Sequence, residues 1–411
     1  MKDFTKKNIK SLKPSATLAI NEKSKELISK GKKVYKFGFG QSPFPVPNSV
    51  ISALKNNADK KDYMPIQGSL SLRQSVAEYI NKRTSNNFSS EDIIISPGSK
   101  ELMFLLHLGF DGEILLPAPS WVSYEPHAII GQNKFHWIET SVENNWFPTS
   151  NQLEQKAKEL KNKNIILILN SPNNPAGSSC KNFEEIANIA KKNNFIILSD
   201  EIYTELTFNR KYNSISKYYP EGTIISSGLS KWCGAGGWRL GFFAVPKNLG
   251  QILKMLKILA SESFTAVSSP IQAAAVEAFK GDHTEYLNST TGILDAVGNY
   301  VYENLKSNKV LIQKPEGGFY LMPEFLNSKF KTSKEMCDNI LDKSGVALLP
   351  GSDFGFKPNK MLARLSYTDF DGKTFLQNIE SGKKPDHEKI KKFAPNIVEG
   401  TKKLIEWSKT L

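Results

Sequence analysis

The sequence predicts an α/β protein: a large domain with a mainly parallel seven-stranded sheet covered by helices on both faces, and a smaller α+β domain made from the N- and C-terminal segments. Three observations predict it. From about residue 91, seven short β-branched runs alternate with other segments. Most of those segments are long enough to be crossover helices, the connection that parallel strands need. After about residue 280 the alternation gives way to a long helix and scattered short strands.

In chain order, residues 1–44 are the N-terminal segment of the small domain. There "LKPSATLAINEKSKELISKGK" reads as a helix and "VYKFGFG" as a strand-like run with no partner in the central sheet. The proline-rich "SPFPVP" at 42–47 marks the crossing into the large domain, 45–280. Its strands are "EDIIIS", "GEILLP", "KFHWIET", "NIILILN", "FIILSD", "TIISSG" and "RLGFFAV", with crossover helices at 99–110 and 181–193. Runs this continuously apolar belong to strands buried on both faces. Only a glycine loop joins the last two. Residues 281–411 complete the small domain through "VLIQKPEGGFYLMPEF", "VALLP" and "KMLARLSY", separated by helical stretches.

Composition bounds the partners. A chain of 411 residues with 39% hydrophobic content is a globular protein of about two or three domains. The N-terminus has charges but no apolar signal core, and no apolar run approaches the roughly 18 residues of a membrane span, so no membrane partner and a cytoplasmic home are expected. Cys180, Cys233 and Cys337 have neither disulfide nor metal-ligand spacing, and no metal is expected. The net charge of +13 comes from scattered lysines without a nucleic-acid motif, which argues against a nucleic-acid partner. Of 54 basic residues only five are arginine, which singles out each arginine as a place where a rigid planar fork is needed. Two of them are Arg239 and Arg364.

The segment 228–241, "GLSKWCGAGGWRLG", sets five glycines around Lys231 and Arg239. A dinucleotide fingerprint starting at Gly234 would need glycine at 239, and a Walker loop would need its lysine after the glycines, so both fail. What remains is Lys231 as a reactive amine, suited to a Schiff base, with Arg239 as an anion clamp. Taken alone, a lysine is usually a surface residue. The context is "NSPNNPAG" at 170–177, "SDEIY" at 199–203 and "ARLSY" near 363, the first two each following an apolar strand. With these motifs the sequence resembles the class I/II, fold-type I, pyridoxal 5′-phosphate-dependent aminotransferases. It is most similar to the aspartate aminotransferase-like subgroup, from "LKPSAT" near residue 12 to "ARLSY", with the tail after 370 the weakest part.

The resemblance implies a role for each matched residue. Lys231 carries the cofactor and, once released by substrate, moves the proton between Cα and the cofactor's C4′ carbon. Asp200 pairs with the pyridine nitrogen and keeps the ring an electron sink. Tyr203 and Asn174 bond its phenolic oxygen, and Trp121 stacks on its face. Arg239, Ser230 and the helix start at Ser99 and Lys100 hold the phosphate. Tyr63, in "YMPIQGSLSLR", reaches the phosphate of a neighbouring subunit, which implies a homodimer with shared sites. Arg364 forks onto the substrate α-carboxylate, with Gly40, Asn174 and Trp121 completing that pocket. Lys100, with Ser15 and Thr17, meets a distal carboxylate, which implies aspartate or glutamate as the favoured donor and a 2-oxo acid as acceptor in a ping-pong reaction.

The sequence departs from the common pattern at Gln41, where glutamate is usual, at "CGAGG", and at Gly228, a place often held by a phosphate-binding serine. The same lysine, aspartate and arginine would also serve a C–S β-lyase. A non-catalytic cofactor-binding regulator would usually carry a DNA-binding segment or lack the lysine, and neither feature is apparent.

Overall fold

The computed structural model describes residues 4–14 and 16–411. Seven strands, β1 (Ile93–Ser96), β2 (Glu113–Ala118), β3 (Phe135–Glu139), β4 (Ile165–Asn170), β5 (Ile196–Asp200), β6 (Thr223–Gly228) and β7 (Gly241–Ala244), form one sheet in the order β1-β7-β6-β5-β4-β2-β3. β2, β3, β4, β5 and β6 pair in parallel, and β7 alone runs antiparallel to both of its neighbours, β1 and β6. The reversal follows from the glycine loop, which returns the chain directly with no crossover helix.

Side chains alternate across the sheet, and both sets are buried. Ile166 and Ile168 of β4 join Ile114, Leu116 and Leu198 on one face, packed on the helix Ser99–Gly109. Ile165, Leu167 and Leu169 join Leu115 and Ile197 on the other, against the helix Phe183–Lys192. That helix carries Glu184 and Glu185 in its first turn and Lys191 and Lys192 in its last, both favourable to the helix dipole. The crossover helices thus fall where the apolar runs require them.

The two ends of the chain meet beside the sheet. Tyr35 forms a single parallel bridge with Val346 through Tyr35 N–H to Gly345 O (2.9 Å) and Ala347 N–H to Tyr35 O (3.0 Å). The run "VYKFGFG" therefore does not form a strand. Phe37 N–H turns back onto Tyr35 O while Phe37 O accepts from Ser366 N–H, so the backbone bends and Gly38–Gly40 are directed towards the sheet's edge. Ser366 belongs to a three-stranded antiparallel sheet of Leu349–Pro350, Ala363–Ser366 and Tyr320–Leu321, flanked by the 22-residue helix Thr284–Leu305. No helix among the described residues is long and apolar enough to cross a membrane.

Candidate active site

Parallel strands bring their carboxyl ends to one edge, where open α/β sheets bind ligands. There β1, β2, β4, β5 and β6 lead into a cavity of about 510 Å³. Gly40, Ser99, Lys100, Trp121, Asn174, Asp200, Tyr203, Ser230, Lys231, Arg239 and Arg364, all singled out in the sequence, line it, together with Thr17 and Gln41. Tyr63 does not, and its side chain is 94% exposed. Ser15 lies outside the described residues.

One end of the cavity is built for an anion. The helix Ser99–Gly109 starts there after Gly98, whose φ of 84° favours glycine. A Cβ on Gly98 would stand 2.4 Å from Arg239 Nη2, and one on Gly241 would stand 2.1 Å from Ser99 N. The glycines thus let a helix N-terminus and a guanidinium converge. Arg239 is anchored by donating to Gly236 O (2.9 Å) and Pro97 O (3.4 Å). At Gly228 a Cβ would meet Leu240 O at 2.6 Å, so the β6–β7 pairing leaves no room there for a serine side chain.

Asp200 ends β5 and is buried. Tyr124 donates to its Oδ2 (2.7 Å) and Ile202 N–H to its Oδ1 (3.4 Å). Burial pushes its pKa up to about 6, against the pull of these two donors and of the Lys231 charge. Its backbone carbonyl accepts from Asn170 Nδ2, whose Oδ1 in turn accepts from Asn174 N–H (2.7 Å), so the ends of β4 and β5 are tied together. Lys231 Nζ donates to Gly40 O (3.0 Å) and lies 5.7 and 5.6 Å from the ring centres of Tyr203 and Phe319.

Arg364 comes from the three-stranded sheet and is 1% exposed. It donates to Asn174 Oδ1 (3.1 Å) and Gly38 O (2.7 Å), stacks over Tyr320 at 4.7 Å, and its Nε has no partner. Burial depresses its pKa below the usual arginine value. Lys100 Nζ stands 5.4 Å from the Trp121 ring. Desolvation, then the Arg239 charge, lower its pKa. Behind Trp121, His127 packs edge-on against it and against His107, and burial, then His107 and Lys100, push His127 down to about 3. This support is therefore neutral.

No role was assigned from the sequence to Tyr124, Tyr320 or Asn170, although Asn170 opens the motif "NSPNNPAG". Tyr124 stands three residues after Trp121 in "SWVSY", and Tyr320 stands two residues after a glycine pair in "GGFYLM"; neither spacing marks a role by itself. Four cations, Lys100, Lys231, Arg239 and Arg364, line the cavity against one carboxylate, Asp200. The arrangement can hold a phosphorylated aromatic ring at the helix terminus and an anionic substrate at Arg364.

A family model described as aminotransferase class I and II matches residues 32–375. The aspartate aminotransferase of Bacillus subtilis strain 168 is 31% identical over 403 residues, covering 94% of this chain and 98% of the relative. A probable N-acetyl-LL-diaminopimelate aminotransferase of the same strain is 33% identical over 341 residues, covering 81% and 84%. The structure of the aspartate aminotransferase from Thermus thermophilus with maleate superposes with a TM-score of 0.85 at 24% identity, covering 98% of this chain and 100% of that one, a likeness of fold.

Proposed function

Because this chain belongs to the class I and II aminotransferase family, we propose that its amino donor is aspartate or glutamate, with 2-oxoglutarate as acceptor, and that two copies share their sites. The chain is a pyridoxal 5′-phosphate-dependent aminotransferase, moving an amino group from an L-amino acid to a 2-oxo acid by a ping-pong mechanism. The residues present suit that cofactor: a helix N-terminus and Arg239 for a phosphate, and a buried carboxylate, Asp200, whose cost of ionisation a ring N–H⁺ would offset.

When bound, the cofactor supplies an aldehyde that captures the amino group and a ring that delocalises the charge left at Cα. In this reading the backbone N–H groups of Ser99 and Lys100, the Ser230 hydroxyl and the Arg239 fork hold the phosphate. Trp121 would cover the ring, and Asp200 would hold its nitrogen protonated. Asn174 and Tyr203 donate to the phenolic oxygen. Lys231 would be the amine that holds the cofactor and the base that takes the proton from the substrate Cα. Arg364, supported by Asn174 and Gly40, fixes the α-carboxylate.

One observation carries the choice of substrate. With Arg239, Lys231 and Arg364 assigned, Lys100 is a fourth cation lining the cavity, in which Asp200 is the one lining carboxylate. Thr17 lines the same cavity. An ammonium there favours a second carboxylate by about 1 to 3 kcal/mol, or about ten- to a hundred-fold. The test is kcat/KM for aspartate, alanine and an aromatic amino acid in wild type and Lys100→Met. The aspartate-to-alanine ratio should fall by about that factor. An unchanged ratio, or a wild type that prefers the aromatic substrate, overturns the acidic-substrate reading and leaves the aminotransferase assignment intact.

A further inference from the structure

We propose that Tyr320 is a positioning residue: its hydroxyl donates to Tyr203, which leaves the Tyr203 proton directed into the cavity. The inference rests on the reading of Lys231 and Tyr203 given above. It concerns a residue that no motif in the sequence selected.

The two phenol oxygens are 3.2 Å apart, and Tyr203 and Tyr320 are 3% and 2% exposed. Each phenol has one proton to give. Tyr320 has two acceptors within reach, Tyr203 Oη at 3.2 Å and Gly40 O at 3.5 Å. Tyr203 Oη is the nearer of the two, and 3.5 Å to Gly40 O is at the outer limit of a hydrogen bond. The better path for the Tyr320 proton is therefore the Tyr203 oxygen. A phenol that accepts one hydrogen bond becomes a stronger donor of its own, because bonds in a chain polarise one another. The Arg364 guanidinium, 4.7 Å over the Tyr320 ring, reinforces this direction by drawing electron density from that phenol.

The charged and titratable groups around the pair are Arg364, Lys231, Asp200 and Tyr367. Asp200 and Tyr367 meet other hydroxyl partners or carbonyls: Asp200 accepts from Tyr124, and Tyr367 donates to Gly318 O. Neither supplies the Tyr203 oxygen with a donor. Gly40 holds Tyr320 in place by its lack of a side chain, since a Cβ there would stand 1.9 Å from the Tyr320 oxygen. The relay joins three parts of the chain: Gly40 from the N-terminal segment, Tyr203 from the turn after β5, and Tyr320 from the three-stranded sheet.

The test is the pH titration of the visible absorbance of the holoenzyme, which reports how strongly the phenolic oxygen beside the Lys231 nitrogen is stabilised. Loss of donor strength at Tyr203 makes that nitrogen more basic, so the midpoint moves up. Tyr320→Phe should raise it by roughly half to one pH unit, the size of one neutral hydrogen bond. Tyr203→Phe should raise it further. Adding Tyr320→Phe to Tyr203→Phe should then change nothing, because the relay has lost its recipient. Gly40→Ala displaces the Tyr320 hydroxyl without altering that residue; it should raise the midpoint in the wild-type background and leave it unchanged in Tyr203→Phe, which keeps the test decisive if Tyr320→Phe fails to fold, as judged by the melting temperature of the cofactor-free protein. An unchanged midpoint in Tyr320→Phe beside a raised one in Tyr203→Phe overturns the relay, as do additive shifts in the double variant. A wild type with no titrating visible band, or a Tyr203→Phe variant with the wild-type midpoint, overturns the reading of the site itself and the relay with it.

Discussion

Asp200→Asn should stabilise the cofactor-free enzyme while its turnover collapses, because an amide cannot keep the cofactor ring protonated. The size of the stabilisation follows from the site. Burial raises the Asp200 pKa from 3.8 to about 6 despite the Tyr124 hydroxyl, the Ile202 N–H and the Lys231 charge. An acid whose folded pKa lies above its unfolded value holds its proton more tightly in the folded chain. Its contribution to stability is therefore fully present below 3.8 and is lost as pH rises towards about 6. A shift of about two units, at about 1.4 kcal/mol each, makes that loss about 3 kcal/mol at neutral pH. Asparagine does not ionise and escapes it.

The assay is urea unfolding of cofactor-free wild type and Asp200→Asn at one protein concentration and two pH values. At about pH 7.5 the variant should be the more stable by about 3 kcal/mol, and at about pH 4.5 by about 1 kcal/mol, since wild-type Asp200 is then largely protonated when folded. Constant differences, such as the amide's own hydrogen bonds to Tyr124 and Ile202, cancel between the two conditions. A stability difference that does not change with pH, or one that changes in the opposite sense, refutes the argument that Asp200 is held in the folded chain at a cost that the cofactor offsets.

Two further outcomes are expected. Gly98→Ala combines a φ of 84° with a methyl group 2.4 Å from Arg239 Nη2, so it should weaken cofactor binding by at least about tenfold, the equivalent of about 1.4 kcal/mol, in an equilibrium titration of the cofactor-free protein. Wild-type affinity would mean that Arg239 does not hold the phosphate. Mixing inactive Tyr63→Ala with inactive Lys231→Ala should restore part of the activity, because a mixed dimer contains one intact site; the exposed Tyr63 ring, outside its own cavity, motivates this. No recovery despite demonstrated subunit exchange counts against the shared site.

The sheet was legible because its information is local. In "NIILILN" every residue of β4 is buried, and the alternation needed to cover two faces is carried by an unbroken apolar run. That the segment 228–241 lines the cavity was legible for a similar reason: Lys231 and Arg239 are eight positions apart, and the loop between them needs no distant partner to be noticed. Tyr124 and Tyr320 were not legible because their meaning lies in bonds to Asp200 and Tyr203, 76 and 117 residues away. "VYKFGFG" has the composition of a strand, yet its hydrogen bonds divide between residue 345–347 on one side and Ser366 on the other, and the chain bends between them. At Gly228 the sequence suggested a lost serine, whereas the Leu240 carbonyl occupies the space a side chain would need.

The arginines show what scarcity in a sequence can indicate and where it stops. All five are placed where a fork is used. Arg73 spans Gly68 O, Ser90 O and the Glu91 carboxylate, Arg83 bonds Glu205 and Tyr79 O while stacking on the Tyr79 ring, and Arg210 joins Glu205 O to Asn288. Those three tie one part of the fold to another. Arg239 and Arg364 also bond main-chain carbonyls, but both line the cavity, and Arg364 keeps a buried Nε with no partner. Other buried polar atoms also lack a partner, Trp232 Nε1 and Thr401 Oγ1 among them, but of these residues Arg364 alone lines the cavity, where an incoming acceptor could reach it. Composition could select the planar fork as the shared requirement, but only the three-dimensional arrangement of acceptors separates an arginine that closes a structure from one that faces the cavity.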